Sequence, residues 1–188
     1  CFKHIPNASI AQHPTLTLTF AWLSLINEDP CQADRLIKES ESAQVLNASD
    51  AASYAAVKAA IAVIYDDFFA AEQWAQLALR SDDQARPWEQ CYAHLSIAES
   101  RINQCDFSGA DISLLAANDI CQREKYVTLY IQVLYLQAEI HTSKAQWQKA
   151  QGVLATALRY ARERGLSKLF SVDHLQRAYA RVLRLQGA

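Results

Sequence analysis

Alanine returns along this chain at a nearly fixed interval. Ala33, Ala71, Ala110 and Ala150 stand 38, 39 and 40 residues apart. Seven residues after them come Ser40, Ala78, Ala117 and Ala157; twelve before them come Ala21, Ala59, Ala98 and Ala138, with Ala178 another 40 on. Three columns of small side chains thus hold register through four repeats and into a fifth. Two antiparallel helices cross closely only where their side chains stay near methyl size, so each column marks a helix crossing. Three residues before the first column stand Pro30, Phe68, Phe107 and Trp147, and the three aromatics fill the corner of a turn.

The rest of the chain supports helices. It has only four Gly and four Pro, and alternating β-branched runs are scarce. Trp147, Ala150, Val153, Leu154, Ala157, Leu158 and Ala161 form one apolar stripe at helical steps. Gly165 follows where a left-handed residue ends a helix, and Ser167 can cap the next. Pro14 and Pro87 suit first helical turns, and Asn47-Ala-Ser-Asp50 supplies caps. Residues 126–140 are apolar almost all round, which predicts a helix packed on both sides. The predicted helices are 14–27, 30–45, 50–66, 68–81, 87–104, 107–122, 125–143, 147–164 and 168–186. The small–large pattern is that of tetratricopeptide repeats, with the period stretched beyond the usual length of about 34 residues. The expected fold is an all-α, tetratricopeptide-like α-solenoid of about four and a half hairpins. Residues 1–12 are a lead-in and 13–188 the array. With no Met, and with a last hairpin lacking its second helix, the sequence reads as a piece of a longer chain or as a processed chain.

Composition narrows the functional classes. No stretch approaches eighteen uncharged apolar residues, and no basic region precedes an apolar core, so neither a membrane span nor a signal peptide is expected. The five cysteines (Cys1, Cys31, Cys91, Cys105, Cys121) are odd in number and form no C-x-x-C pair, which points to reduced thiols and a cytoplasmic protein. Cys91 and His94 lie three apart, as do Cys1 and His4, but zinc needs about four convergent ligands, so no metal site is expected. Phosphate-loop, dinucleotide, nucleophile-elbow and zinc-protease motifs are all missing. His141 and His174 have no nucleophile or carboxylate at a telling spacing, and an enzyme is not expected.

Charge is uneven. Residues 1–158 carry 11 basic and 18 acidic side chains. Residues 159–188 carry Arg159, Arg162, Arg164, Lys168, Arg177, Arg181 and Arg184 against Glu163 and Asp173. A solvated basic face explains this, as does a docking patch for an acidic neighbouring domain. Direct nucleic-acid contact is not expected, because no base-reading motif accompanies the charge. The last helix also carries Val172, Leu175, Ala178, Tyr179, Val182 and Leu183 at helical spacing. With no partner helix part of that stripe would be exposed, and a homodimer or another packing contact through 168–186 is expected from it.

Function then falls to the face built from the first helix of each hairpin. Relative to the column Ala21, Ala59, Ala98 and Ala138, positions −6, −3, +1 and +5 should point into a groove. Repeats one and two place Leu18, Trp22 and Ile26, then Ala56, Ala60 and Ile64, there. Repeat three places Tyr92, Leu95, Glu99 and Asn103, and repeat four Gln132, Tyr135, Glu139 and Ser143. The candidate binding residues are Tyr92, Glu99, Asn103, Gln132, Tyr135 and Glu139. Glu99 and Glu139 should repel unless a cation, a donor-rich ligand or water separates them. The tyrosines offer flat apolar faces with a hydroxyl, suited to sugars, aromatic effectors or peptide backbone. A solvated helix face is the plainer alternative.

Pro6-Asn-Ala-Ser-Ile10-Ala-Gln-His13-Pro14-Thr-Leu16, followed by Ala21-Trp22, resembles the opening of the repeat domain in MalT-like regulators, ATP-dependent LuxR-class transcription activators. Their pattern runs P-x-x-x-L, then H-P-x-L, then A-W, and the long period also resembles theirs. The resemblance implies a parent chain with a nucleotide-binding switch domain, which would hold ATP, and a C-terminal helix-turn-helix. This chain itself would need no cofactor. It would be the sensor, binding a small-molecule inducer or a regulatory protein and contacting neighbouring domains of its parent. The alternatives are a protein–protein scaffold unrelated to transcription and an enzyme accessory that binds a small molecule.

Overall fold

A computed structural model describes residues 13–26, 29–42, 48–80, 85–166 and 170–187, with the side chains of all but 40–42, 48, 49, 170 and 171. Among the described residues every regular element is an α-helix: α1 (Pro14–Ile26), α2 (Pro30–Ser42), α3 (Ala48–Ile64), α4 (Phe68–Arg80), α5 (Pro87–Asn103), α6 (Phe107–Glu124), α7 (Val127–Ser143), α8 (Trp147–Glu163) and α9 (Phe170–Gln186). The all-α expectation holds, and each described boundary falls within a few residues of its prediction. The lead-in 1–12 with its family-like motif, Cys1, His4, Asn47 and Ser167 lie outside the described residues.

The chain forms two compact units, 1–100 and 101–188, with the division inside α5. In the first, α1 packs on α2 and α3, and α3 on α2 and α4. Their core includes Leu18, Ile37, Val57, Ile61 and, from α5, Ala93 and Ile97. In the second, α7 packs on α6, α8 and α9, and α8 on α9. Being covered on several sides, α7 buries Leu129, Ile131, Val133, Leu134, Leu136, Ala138 and Ile140, as its all-round apolar sequence requires.

Every described member of the alanine columns is buried. Ala21, Ala33, Ala59, Ala71, Ala78, Ala98, Ala110, Ala117, Ala138, Ala150 and Ala157 have no exposed surface, and Ala178 has 6%. The turns repeat as well. Asp66, Cys105 and Ala145 each take a left-handed backbone at φ 58°, 61° and 54°. The N–H one residue on then bonds back to Ala62, Arg101 and His141. Lys125 (φ 60°) and Gly165 (φ 69°) end α6 and α8 the same way. Lys125 therefore terminates a helix, so α6 runs to Glu124 and α7 begins at Val127. A carboxylate precedes the second helix in the first three repeats: Asp29, Asp67 and Asp106 accept the backbone N–H of Gln32, Ala70 and Gly109 at 2.9, 3.1 and 3.0 Å. Gln146 holds the fourth position without a side-chain cap.

Two expectations are narrowed. Most of the apolar stripe of α9 is covered: Val172, Leu175, Ala178 and Val182 are buried with α7 and α8 side chains, and half-buried Tyr179 receives a hydrogen bond from Gln151. Among the described large apolar side chains of α9, Leu183 and Leu185 stay exposed. Of the groove positions in the first two repeats, Leu18, Trp22 and Ala56 are buried, whereas Ile26 and Ile64 are exposed. Trp22 is large enough to reach α5, where its ring lies 4.7 Å from Trp88.

Of the described thiols, Cys31 and Cys105 are exposed and Cys91 and Cys121 buried, all unbridged. No group of three or more metal-ligating side chains converges among the described residues, and no described helix is long and apolar enough to cross a membrane.

Candidate ligand site on α7 and α9

The six candidate residues fall in different settings. In the first unit Tyr92 is part of an aromatic core, its ring 4.6 Å from Trp22 and 6.3 Å from Trp88. Burial, helped by the neighbouring Cys91, pushes its hydroxyl up to about 12. Tyr92 therefore supports packing rather than offering an open rim, because Trp22 covers the face predicted to be free. Glu99 is half-buried two turns further along α5. Asn103, exposed at the end of α5, belongs to the second unit with Gln132, Tyr135 and Glu139.

Those last three do share a surface. Gln132, Tyr135 and Glu139 recur at three- and four-residue steps on α7, so they lie along one stripe, and all are half-buried. Opposite them α9 is amphipathic. One edge sinks Val172, Leu175 and Val182 into the core. The adjoining edge carries His174, Arg177, Arg181 and Arg184. Tyr135 and that basic edge enclose an open cleft of about 350 Å³, where Ala178 and Ala180 leave room. The Tyr135 and His174 rings stand edge to face with centroids 6.5 Å apart.

Arg181 locks the two helices. Its Nη2 donates to both carboxylate oxygens of Glu139, at 2.6 Å to Oε2. The Glu139 charge is therefore met within its own unit. The pair is partly exposed, with 45% of the Arg181 side chain and 19% of the Glu139 side chain accessible. It fixes geometry more than it stabilises, as exposed pairs contribute about 0–1 kcal/mol. Among the described residues that line the cleft none is acidic, and three guanidinium groups stand along one wall.

The basic half of this site was not predicted as part of it. The repeat register picks Val172, Leu175, Tyr179 and Leu183 on α9, which is mostly the buried edge. A cleft between two helices is lined by one edge of each, and on α9 that edge is displaced by one or two residues. The signal available was the three-residue and four-residue spacing of Arg177, Arg181 and Arg184 within the basic stretch. The chain matches no protein-family model, no curated protein and no solved structure.

Proposed function

We propose that this chain is a tetratricopeptide-like binding module that serves as the sensor region of a MalT-like, LuxR-class transcription regulator. The observation that carries the binding-module reading is the repeated unit. Left-handed turns at Asp66, Cys105 and Ala145 recur at the same 39- and 40-residue interval as the buried alanines. Arrays built this way present successive helices as a continuous surface, and in this one α7 lends Tyr135 to a cleft beside the Glu139–Arg181 pair. The regulator assignment rests on the Pro6-to-Trp22 resemblance and the long period. In this reading an inducer or regulatory protein docks on the helical surface, biases one arrangement of the array, and the ATP-binding switch elsewhere in the parent responds.

The test is a reporter assay in the full-length parent. Replacing Glu99 and Tyr135 together by Ala should abolish the inducer response while ATP binding and expression stay at wild-type levels. A normal response from that double variant would remove the sensor reading.

A further inference from the structure

We propose that the second compact unit pairs with the same unit of a second copy of this chain, through the outer faces of α6 and α8. The two-fold axis of that pair runs parallel to both helices. Each helix turns a buried alanine inward, Ala110 on α6 and Ala150 on α8. Residues two, five, nine and thirteen positions after that alanine fall on the opposite side of the helix. On α6 they are Ile112, Leu115, Asp119 and Arg123, and on α8 they are Gly152, Ala155, Arg159 and Glu163; all eight are exposed. Ile112 and Leu115 leave 68% and 61% of their surface accessible, one turn apart. At the same levels α8 is nearly bare, and a Cβ at Gly152 would meet nothing within 4 Å.

The two faces are complements at every level. Large apolar side chains stand opposite a hydrogen and a methyl, an acid opposite a base, and a base opposite an acid. Helix direction decides which symmetry uses that match. Both α6 and α8 pack on α7 and join it through short turns, so both run opposite to α7 and parallel to each other. A two-fold axis parallel to them lays α6 on the partner's α8 and keeps the levels aligned. Ile112 and Leu115 then enter the space left by Gly152 and Ala155, while Asp119 meets Arg159 and Arg123 meets Glu163. Each contact occurs twice. An axis across the helices, centred on the same stretch, would lay α6 on α6 and α8 on α8. It would set Ile112 and Leu115 against Arg123 and Asp119, and leave Gly152 facing a charge.

Net charge plays no part in this match. Asp119 lies one turn from Arg123, and Arg159 one turn from Glu163, so each stripe carries one charge of each sign, in opposite order. Arg123 also holds Glu124 at 2.8 Å. The order of the charges fixes the register, and the covered apolar side chains supply most of the affinity. The pairing needs no inducer and no parent domain, so it stands or falls apart from the regulator reading.

Sedimentation equilibrium of the full chain over a range of concentrations tests this. The wild type should form a dimer and nothing larger, because a two-fold contact closes on itself. Ile112→Ser with Leu115→Ser should raise the dissociation constant at least about tenfold. Leu183→Ser with Leu185→Ser, the exposed pair on α9, should leave it unchanged. Asp119→Arg and Arg159→Asp should each weaken self-association about tenfold, since each sets like charges together at both contacts. Mixed in equal amounts, those two variants should pair with one another at wild-type strength, because opposite charges then meet again at both contacts. All of these substitutions lie on exposed faces, where they cost the fold little. A wild-type chain that stays monomeric overturns the proposal, as does a mixture that fails to pair. Dimers lost with the α9 leucines rather than with Ile112 and Leu115 would place the contact on α9 and overturn it too.

Discussion

Arg86 grips the carboxylate of Glu89 from both its backbone and its side chain. Its N–H donates to Oε2 at 2.9 Å, and Nε and Nη2 donate to Oε1 at 3.0 and 2.7 Å. Glu89 is wholly buried while 46% of the Arg86 side chain is accessible. The guanidinium also lies 5.1 Å from the Trp88 ring and reaches Ser53 Oγ at 3.3 Å. A glutamate at the third helical position closing back on the residue before the helix is half of a capping box, here sealed inside the first unit.

Removing the two partners should therefore cost unequal amounts. Arg86→Ala strands a buried carboxylate and should lose about 3 kcal/mol of unfolding free energy. Glu89→Gln keeps an acceptor for the Arg86 N–H and leaves behind a cation that water can reach, so it should lose only about 1 kcal/mol. Urea denaturation of both variants decides the order. A larger loss from Glu89→Gln would show that the arginine, not the carboxylate, is the buried member.

Tyr92 links stability to high pH. Its hydroxyl has an ordinary value of 10.0 in the unfolded chain and about 12 in the folded one. Between those values the folded chain holds the extra proton, so stability is intact below the lower value and lost as pH climbs through the upper one. The loss should reach about 1 kcal/mol per pH unit. Tyr92→Phe should flatten this slope in unfolding measurements across the interval. An unchanged slope would place the alkaline sensitivity elsewhere.

The left-handed turn at Ala145 carries a Cβ where none is wanted. Ala145→Gly should raise stability by about 1 kcal/mol, and Gly165→Ala, at φ 69°, should lower it by a similar amount. Paired thermal melts would show shifts of opposite sign. Shifts of the same sign would contradict the left-handed assignment.

Two helical glycines should respond oppositely to alanine. At Gly152 an added methyl meets nothing within 4 Å, so Gly152→Ala should gain about 1 kcal/mol of helix propensity. At Gly109 the same methyl would sit 2.1 Å from Asp106 Oδ2 and 2.7 Å from Arg101 Nη1. It would displace both the cap and the arm that donates to the Gly109 carbonyl at 3.2 Å. That forfeits about 1 kcal/mol of capping and cancels the propensity gain. Gly109→Ala should thus be neutral or destabilising in the same denaturation assay.

The helices were legible because their signals are local. Small residues at fixed intervals, prolines at first turns and Gly165 at a terminus each act within a few residues of themselves. The Asp29, Asp67 and Asp106 caps were equally visible, one residue before Pro30, Phe68 and Phe107, but a column of caps attracts less notice than a column of alanines. The site was half legible. Register placed Tyr135 and Glu139 on a shared stripe, because both belong to one helix. It did not pair Glu139 with Arg181, since that contact spans 42 residues and depends on which edge of α9 turns toward α7. It also made Tyr92 a rim residue, because nothing local reports how far Trp22 reaches.

The hidden thiols of Cys91 and Cys121 sit one in each compact unit, and each unit also has an accessible one, Cys31 or Cys105. An alkylating reagent will label the accessible pair at once and the hidden pair only when their surroundings open. Mass spectrometry of the two slow peptides would therefore time the breathing of each half separately, in a single unmodified sample, without mutation or spectroscopic tag. Matching rates would mean that the halves open as one; differing rates would rank them.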